Sequence, residues 1–149
     1  MEEPISKELN FDLWSAIDRL DHFISLIRQR ELNQYGIAVQ QLLILRVIKS
    51  LGSEATVAKI AKIADREIGV VSRQTMVLEK DGLIKRTKAK PKSRRLIMEL
   101  TDKGLEMIKI PRGSKTIDSI FSVVDEKERQ HICSVLNKMA IKAKKYCKD

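Results

Sequence analysis

The sequence predicts a mainly α fold with a small β-hairpin wing: a winged helix-turn-helix core flanked by N- and C-terminal dimerisation helices. Apolar residues recur at steps of three and four along most of the 149-residue chain, the spacing that gathers them on one face of a helix. After Gly82 the step changes to two, the period of a strand, over residues 83–89 and 95–101. Between Gly82 and Met98 stand seven basic residues, Lys85, Arg86, Lys88, Lys90, Lys92, Arg94 and Arg95, and no acid.

Residues 11–34 place Leu13, Ile17, Leu20, Ile24 and Ile27 on one stripe, with Asp12, Arg19 and Arg28 elsewhere on the wheel. A long amphipathic helix is expected there, broken at Gly36. Residues 39–50 resume with Leu42, Leu43, Leu45, Val47 and Ile48, a run too uniformly apolar for a surface helix, and Gly52 follows as its C-terminal cap. This helix is expected at the centre of the core. Thr56 then stands as an N-cap before a two-turn helix whose Val57, Ile60, Ala61 and Ala64 share a face. Residues 65–68 separate it from another helix, with Val71, Thr75 and Leu78 turned inward. The small Ala58, Ala61 and Ala64 let the two short helices cross closely, as a helix-turn-helix requires.

In the hairpin, Ile84, Arg86 and Lys88 alternate with Leu83, Lys85 and Thr87, and Leu96, Met98 and Leu100 with Ile97, Glu99 and Thr101. Pro91 marks the turn. Thr101 caps a helix over 102–110, with Asp102 near its positive end. Pro111, Arg112, Gly113 and Ser114 break it. Residues 117–145 carry Ile117, Ile120, Phe121 and Val124, then Ile132, Val135 or Leu136, Met139 and Ala143, an amphipathic helix interrupted near 124–126. The two terminal helical segments are long for so small a core, and their apolar stripes need cover. A second copy is the simplest cover, and its twofold axis would set two recognition helices roughly 34 Å apart, one turn of a duplex.

Hydrophobic residues make up 43% of the chain and aromatic ones only 4%, which points to a core of Leu, Ile, Val and Ala rather than a large aromatic pocket. The formal charge of +9 and pI near 9.7 favour a polyanionic partner with salt-sensitive affinity. No apolar run approaches the ~20 residues of a membrane span. The start Met1-Glu2-Glu3-Pro4 lacks the basic opening and apolar middle of a signal peptide, so a cytoplasmic protein without a membrane partner is expected. Cys133 and Cys147 lie 14 residues apart in one expected helix, roughly 21 Å along its axis, too far for a bridge. That fits a reducing compartment. No Gly-rich phosphate loop or catalytic signature is present, so neither an enzyme nor a cofactor is expected.

At Leu78-Glu79-Lys80-Asp81-Gly82-Leu83-Ile84-Lys85-Arg86, and again at Arg94-Arg95-Leu96-Ile97-Met98-Glu99-Leu100-Thr101-Asp102-Lys103-Gly104, the chain resembles the MarR family of bacterial transcriptional regulators. The likeness follows the order of elements over nearly the whole chain. It implies one MarR-like domain over 1–149, with dimerisation helices at 9–35 and 114–147 and a winged-helix DNA-binding lobe at 37–110. It also implies a homodimeric repressor, less often an activator, on a pseudo-palindromic operator in double-stranded DNA, released by a small-molecule effector. Two departures stand out. Counting back from Leu100-Thr101, the family's wing Asp falls on Lys92, its first Arg on Ser93 and its second on Arg94; without the acidic partner the wing is expected to be more mobile, Arg94 still entering a minor groove and Lys92 attracting phosphate. Where the recognition helix often begins Ser-Pro, this chain has Glu67-Ile68, a weak cap that repels phosphate.

On that reading Ser72 and Arg73 face the bases, Arg73 able to grip guanine through two hydrogen bonds; the alternative is a merely solvated helix face. Gln74 and Met76 reach the groove edge, Met76 against a thymine methyl, or else support packing. Gly69 and Val70 open the helix for close backbone approach. Lys88, Lys90, Lys92, Ser93 and Arg94 form the phosphate-contacting wing, or else a solvated hairpin tip. Thr56 is a cap first, and its helix start can also hold a phosphate. Cys133 is expected as a small core residue and Cys147 in a Lys-rich tail, with redox sensing only weakly supported. His22 and His131 make no metal site with those cysteines. Trp14 and His22 either line an effector pocket or, for Trp14, fill a dimer interface. The rival functions are a non-sequence-specific architectural DNA-binding protein and a winged-helix protein-interaction adaptor.

Overall fold

The computed structural model describes residues 6–148. The Met1-Glu2-Glu3-Pro4 start, from which no signal peptide is expected, lies outside the described residues. The chain divides into two compact units at Pro111/Arg112.

The first unit opens with α1 (Lys7–Leu32), capped by Ser6, whose hydroxyl accepts from the Leu9 N–H. A short 3-10 turn (Asn33–Tyr35) ends at Gly36. From the last turns of α1 the Gln29 side chain donates to the Ile37 carbonyl and accepts from the Val39 N–H, stitching the start of α2 (Val39–Leu51) to α1. As expected, α2 is the centre of the core, with Leu42, Ile44, Leu45, Val47 and Ile48 all buried. A second 3-10 turn (Gly52–Glu54) leads to α3 (Val57–Ala64), which buries Ile60, Ala61 and Ala64. Then α4 (Ile68–Lys80) buries Val71, Thr75 and Leu78, the three positions its spacing predicted. Asp65 at φ 50° makes the turn between α3 and α4 shorter than the sequence suggested, residues 65–67 instead of 65–68.

The hairpin pairs β1 (Ile84–Lys88) antiparallel to β2 (Leu96–Leu100), with Ile84 opposite Leu100 and Lys88 opposite Leu96. The simple alternation expected there is broken: Leu83 and Ile84 are both buried, and so are Ile97 and Met98. The root of the hairpin is packed against α2, α3 and α5. β2 is also paired on its free edge, the Met98 N–H donating to the carbonyl of Ala55, a fully buried residue just ahead of α3. Helix α5 (Asp102–Met107) is capped by Thr101 and ends three residues before the expected Ile110, which instead packs into the core from a turn. Two guanidiniums secure that turn: Arg46 donates to the Ile110 carbonyl and Arg28 to that of Pro111.

The second unit holds α6 (Lys115–Phe121) and α7 (Glu126–Tyr146). The interruption expected near 124–126 is there, because Asp125 caps α7 and exchanges hydrogen bonds with Glu128 in a capping box. Neither helix buries a residue.

Candidate nucleic-acid interface

Helix α4 turns Val71, Thr75 and Leu78 into the core, and 3.6 residues per turn then set Gly69, Arg73 and Met76 on the opposite arc. All three are exposed, Met76 to 59%. Val70, Ser72 and Gln74 are half-buried on the flanks of that arc. The helix begins without a side-chain cap at Glu67, so its first N–H groups are left open, and Ile68 beside them is exposed. Apolar Met76 thus adjoins Arg73 on the outer arc of α4, and Ile68 is exposed at the first turn of the helix. Met76 is exposed where a groove-edge contact is expected, whereas the exposure of Ile68 has no signal in the periodicity.

The wing tip is built by its own residues. The Ser93 N–H donates to the Lys90 carbonyl, closing a turn with Pro91 at its second position, where a fixed φ favours the bend. The Ala89 N–H continues the ladder to the Arg95 carbonyl, and Ser93 Oγ accepts from the Arg95 N–H at 3.0 Å. Half-buried Ser93 therefore serves the turn, while Lys88, Lys90, Lys92, Arg94 and Arg95 are exposed around it. The other two cations of the basic run are engaged: Lys85 pairs with Glu99 across the hairpin at 3.3 Å, and Arg86 lies against α4 beside Glu79.

The root of the wing is anchored by Leu100-Thr101-x-x-Gly104. The Thr101 hydroxyl donates to the Gly82 carbonyl at 2.6 Å and accepts from the Gly104 N–H, and the Thr101 N–H donates to the Leu83 carbonyl. Lys103 adds a bond to the Asp81 carbonyl. Gly104 is buried so close to Leu83 that a Cβ there would run into its carbonyl oxygen. At Gly82, φ of 73° lets the chain leave α4 directly for β1. These contacts join the end of α4, the wing and α5 into one piece.

Thr56 caps α3, its hydroxyl accepting from the Lys59 N–H at 3.3 Å. The Glu54 carboxylate, ion-paired with Lys59, sits at that same helix start. Cys133 is exposed on α7, not in a core as expected, because α7 has no covered face within its unit; Cys147 is exposed as well. Trp14 is 68% exposed on α1, packed edge-on against Phe11 with ring centres 6.2 Å apart. His22 and His131 are also exposed. Among the described residues no cluster of three His, Cys, Asp or Glu could hold a metal ion, and no helix is long and apolar enough to cross a membrane.

Residues 37–97, from the start of the core to the second strand of the wing, match the model of the MarR family. The winged segment is a MarR-family segment. Its class is that of DNA-binding transcriptional regulators. None of the curated proteins matches the chain. Among solved structures, the S. aureus MepR–DNA complex aligns with a TM-score of 0.77 at 22% identity, over 87% of this chain and 97% of that one. A ligand-free organohalide-sensing transcriptional regulator aligns with a TM-score of 0.81 at 24% identity, over 93% of this chain and 85% of its own. A MarR protein from Peptoclostridium difficile aligns with a TM-score of 0.80 at 17% identity, over 98% and 96%. At such identities the likeness establishes the fold, which the MarR segment shares with all three.

Proposed function

We propose that the protein is a homodimeric, sequence-specific repressor of its own or neighbouring genes, bound to a pseudo-palindromic operator and released by a small-molecule effector. One observation carries this reading: a single compact unit presents Arg73 on the open arc of α4 together with the exposed cations Lys88, Lys90, Lys92 and Arg94 of the wing. Base edges supply sequence discrimination and phosphates supply affinity, and here a separate element serves each. The dimer is supported by the apolar side chains that α1 leaves uncovered, including Leu13, Trp14, Leu20 and Phe23. The effector is supported by likeness alone. The same organohalide sensor has been solved with 2,4-dichlorophenol, and DNA binding by BpsR of Bordetella bronchiseptica is regulated by 6-hydroxynicotinic acid. A small aromatic acid or phenol is therefore the first class to screen.

The test compares binding to DNA from around the protein's own gene with scrambled DNA of equal length, at two salt concentrations, for wild type and Arg73→Ala. A preference for the native fragment that survives the higher salt, and drops roughly 5- to 150-fold in Arg73→Ala, supports the reading; that range corresponds to about 1–3 kcal/mol for one bidentate base contact. Equal and steeply salt-dependent binding to both would make the protein architectural. No binding to either would make it an adaptor.

A further inference from the structure

The wing and α4 share a polar contact inside the first unit. The Arg86 side chain is 25% exposed and lies on the flank of α4, while Lys88 and Lys90 further along the wing point to solvent. Its Nη2 reaches Thr75 Oγ1 at 3.5 Å. Its Nε lies 3.3 Å from Glu79 Oε2, within ion-pair distance, although the N–H is not aimed at the carboxylate and the atom is buried without a hydrogen bond. Thr75 is 0% exposed, the one buried polar side chain among the described residues, and its hydroxyl donates to the Ser72 carbonyl at 2.8 Å. A continuous line of contacts therefore runs from β1 through Thr75 to the turn of α4 that carries Arg73.

A buried Arg nitrogen without a directed partner is costly, and an aliphatic side chain would fill the same space without that cost. What an aliphatic residue cannot do is span Thr75 and Glu79, one helical turn apart, with a planar fork. Lys, a point charge on a flexible stem, cannot do so either. We propose that Arg86 is a positioning residue for DNA recognition: its guanidinium, held between Thr75 and Glu79, sets the angle of the wing against α4 so that Arg73 and the wing lysines engage one duplex together. The inference rests on the regulator reading above and deepens it.

The experiment uses the full chain, the tightest sequence selected from a random DNA pool, and a scrambled duplex of equal length. Arg86→Lys keeps the charge and loses the fork. Its affinity for the selected sequence is expected to fall about tenfold while binding to the scrambled duplex stays within about twofold, with an unchanged salt slope. Glu79→Gln is expected to shift the same ratio, and the double variant to lose no more than the larger single loss, since both break one contact. In the absence of DNA, hydrogen exchange is expected to quicken in α4 and β1 of Arg86→Lys and to stay unchanged in α2. Equal loss on both duplexes, with a salt slope smaller by about one, would overturn the proposal and make Arg86 a phosphate contact. Unaltered exchange in α4 would overturn it whatever the DNA shows. A wild type without preference for any selected sequence would sink the regulator reading instead, and the exchange arm would still decide whether Arg86 couples the two elements. Should Arg86→Lys fail to fold, Glu79→Gln, at a half-exposed position, carries both arms.

Discussion

Gly104 shows how one missing side chain can hold a wing in place. In an exposed helix, replacing Gly by Ala gains about 1 kcal/mol. Here the sign reverses, because the new methyl meets the Leu83 carbonyl, backbone that cannot yield without moving the wing root. Gly104→Ala is expected to lower stability by about 1–3 kcal/mol, the usual range for overpacking, as a clear drop in thermal midpoint. A midpoint that rises would show that the α5 approach is looser than it looks. The motif Leu100-Thr101-x-x-Gly104 was legible as a pattern, and its Thr as a cap; that Thr101 also donates to the Gly82 carbonyl and Gly104 abuts Leu83 depends on residues some twenty positions apart, which no local spacing reveals. Arg86 is a middle case. Its alternation with Lys85 put it on the side of Ile84, the inward face, yet its count among seven wing cations hid that difference.

At the scale of elements, the basic run divides into a root and a tip. Lys85 and Arg86 near the root each have an acid beside them, and Lys88, Lys90, Lys92 and Arg94 surround a turn that Pro91 and Ser93 close. Lys90 and Lys92 of the tip should therefore bind phosphates and carry no sequence information. Lys90→Ala and Lys92→Ala are each expected to weaken binding to every duplex alike and to lower the slope of log affinity against log salt by about one. A loss confined to one sequence would move those residues from the phosphates to the bases. The helix spans were legible because their apolar stripes are long and periodic. The breakdown of alternation in the hairpin was not, because it depends on α2, α3 and α5 packing against the hairpin root, and a local spacing does not record such distant neighbours.

At the scale of the molecule, two features set behaviour: a charge of +9 and long helices whose apolar side chains are uncovered. The charge leads to the expectation that association with DNA falls steeply as salt rises. The uncovered Trp14, Phe11, Leu20 and Phe23 of α1 lead to the expectation that the protein sediments at about twice 17.1 kDa, and that Trp14→Asp shifts it toward the single-chain mass. A wild type that sediments at 17.1 kDa under dilution would remove the dimer, and with it the paired recognition helices. What the sequence by itself determined is everything governed by neighbours three or four apart: the helices, their caps at Thr56 and Thr101, the inward Val71, Thr75 and Leu78, and the density of charge in the wing. What only the tertiary structure decided is which polar groups meet. Arg86 of β1 lies against α4 and Cys133 is exposed, because burial and hydrogen bonding are settled by segments distant in sequence that pack together, and a one-dimensional pattern carries no record of those distances.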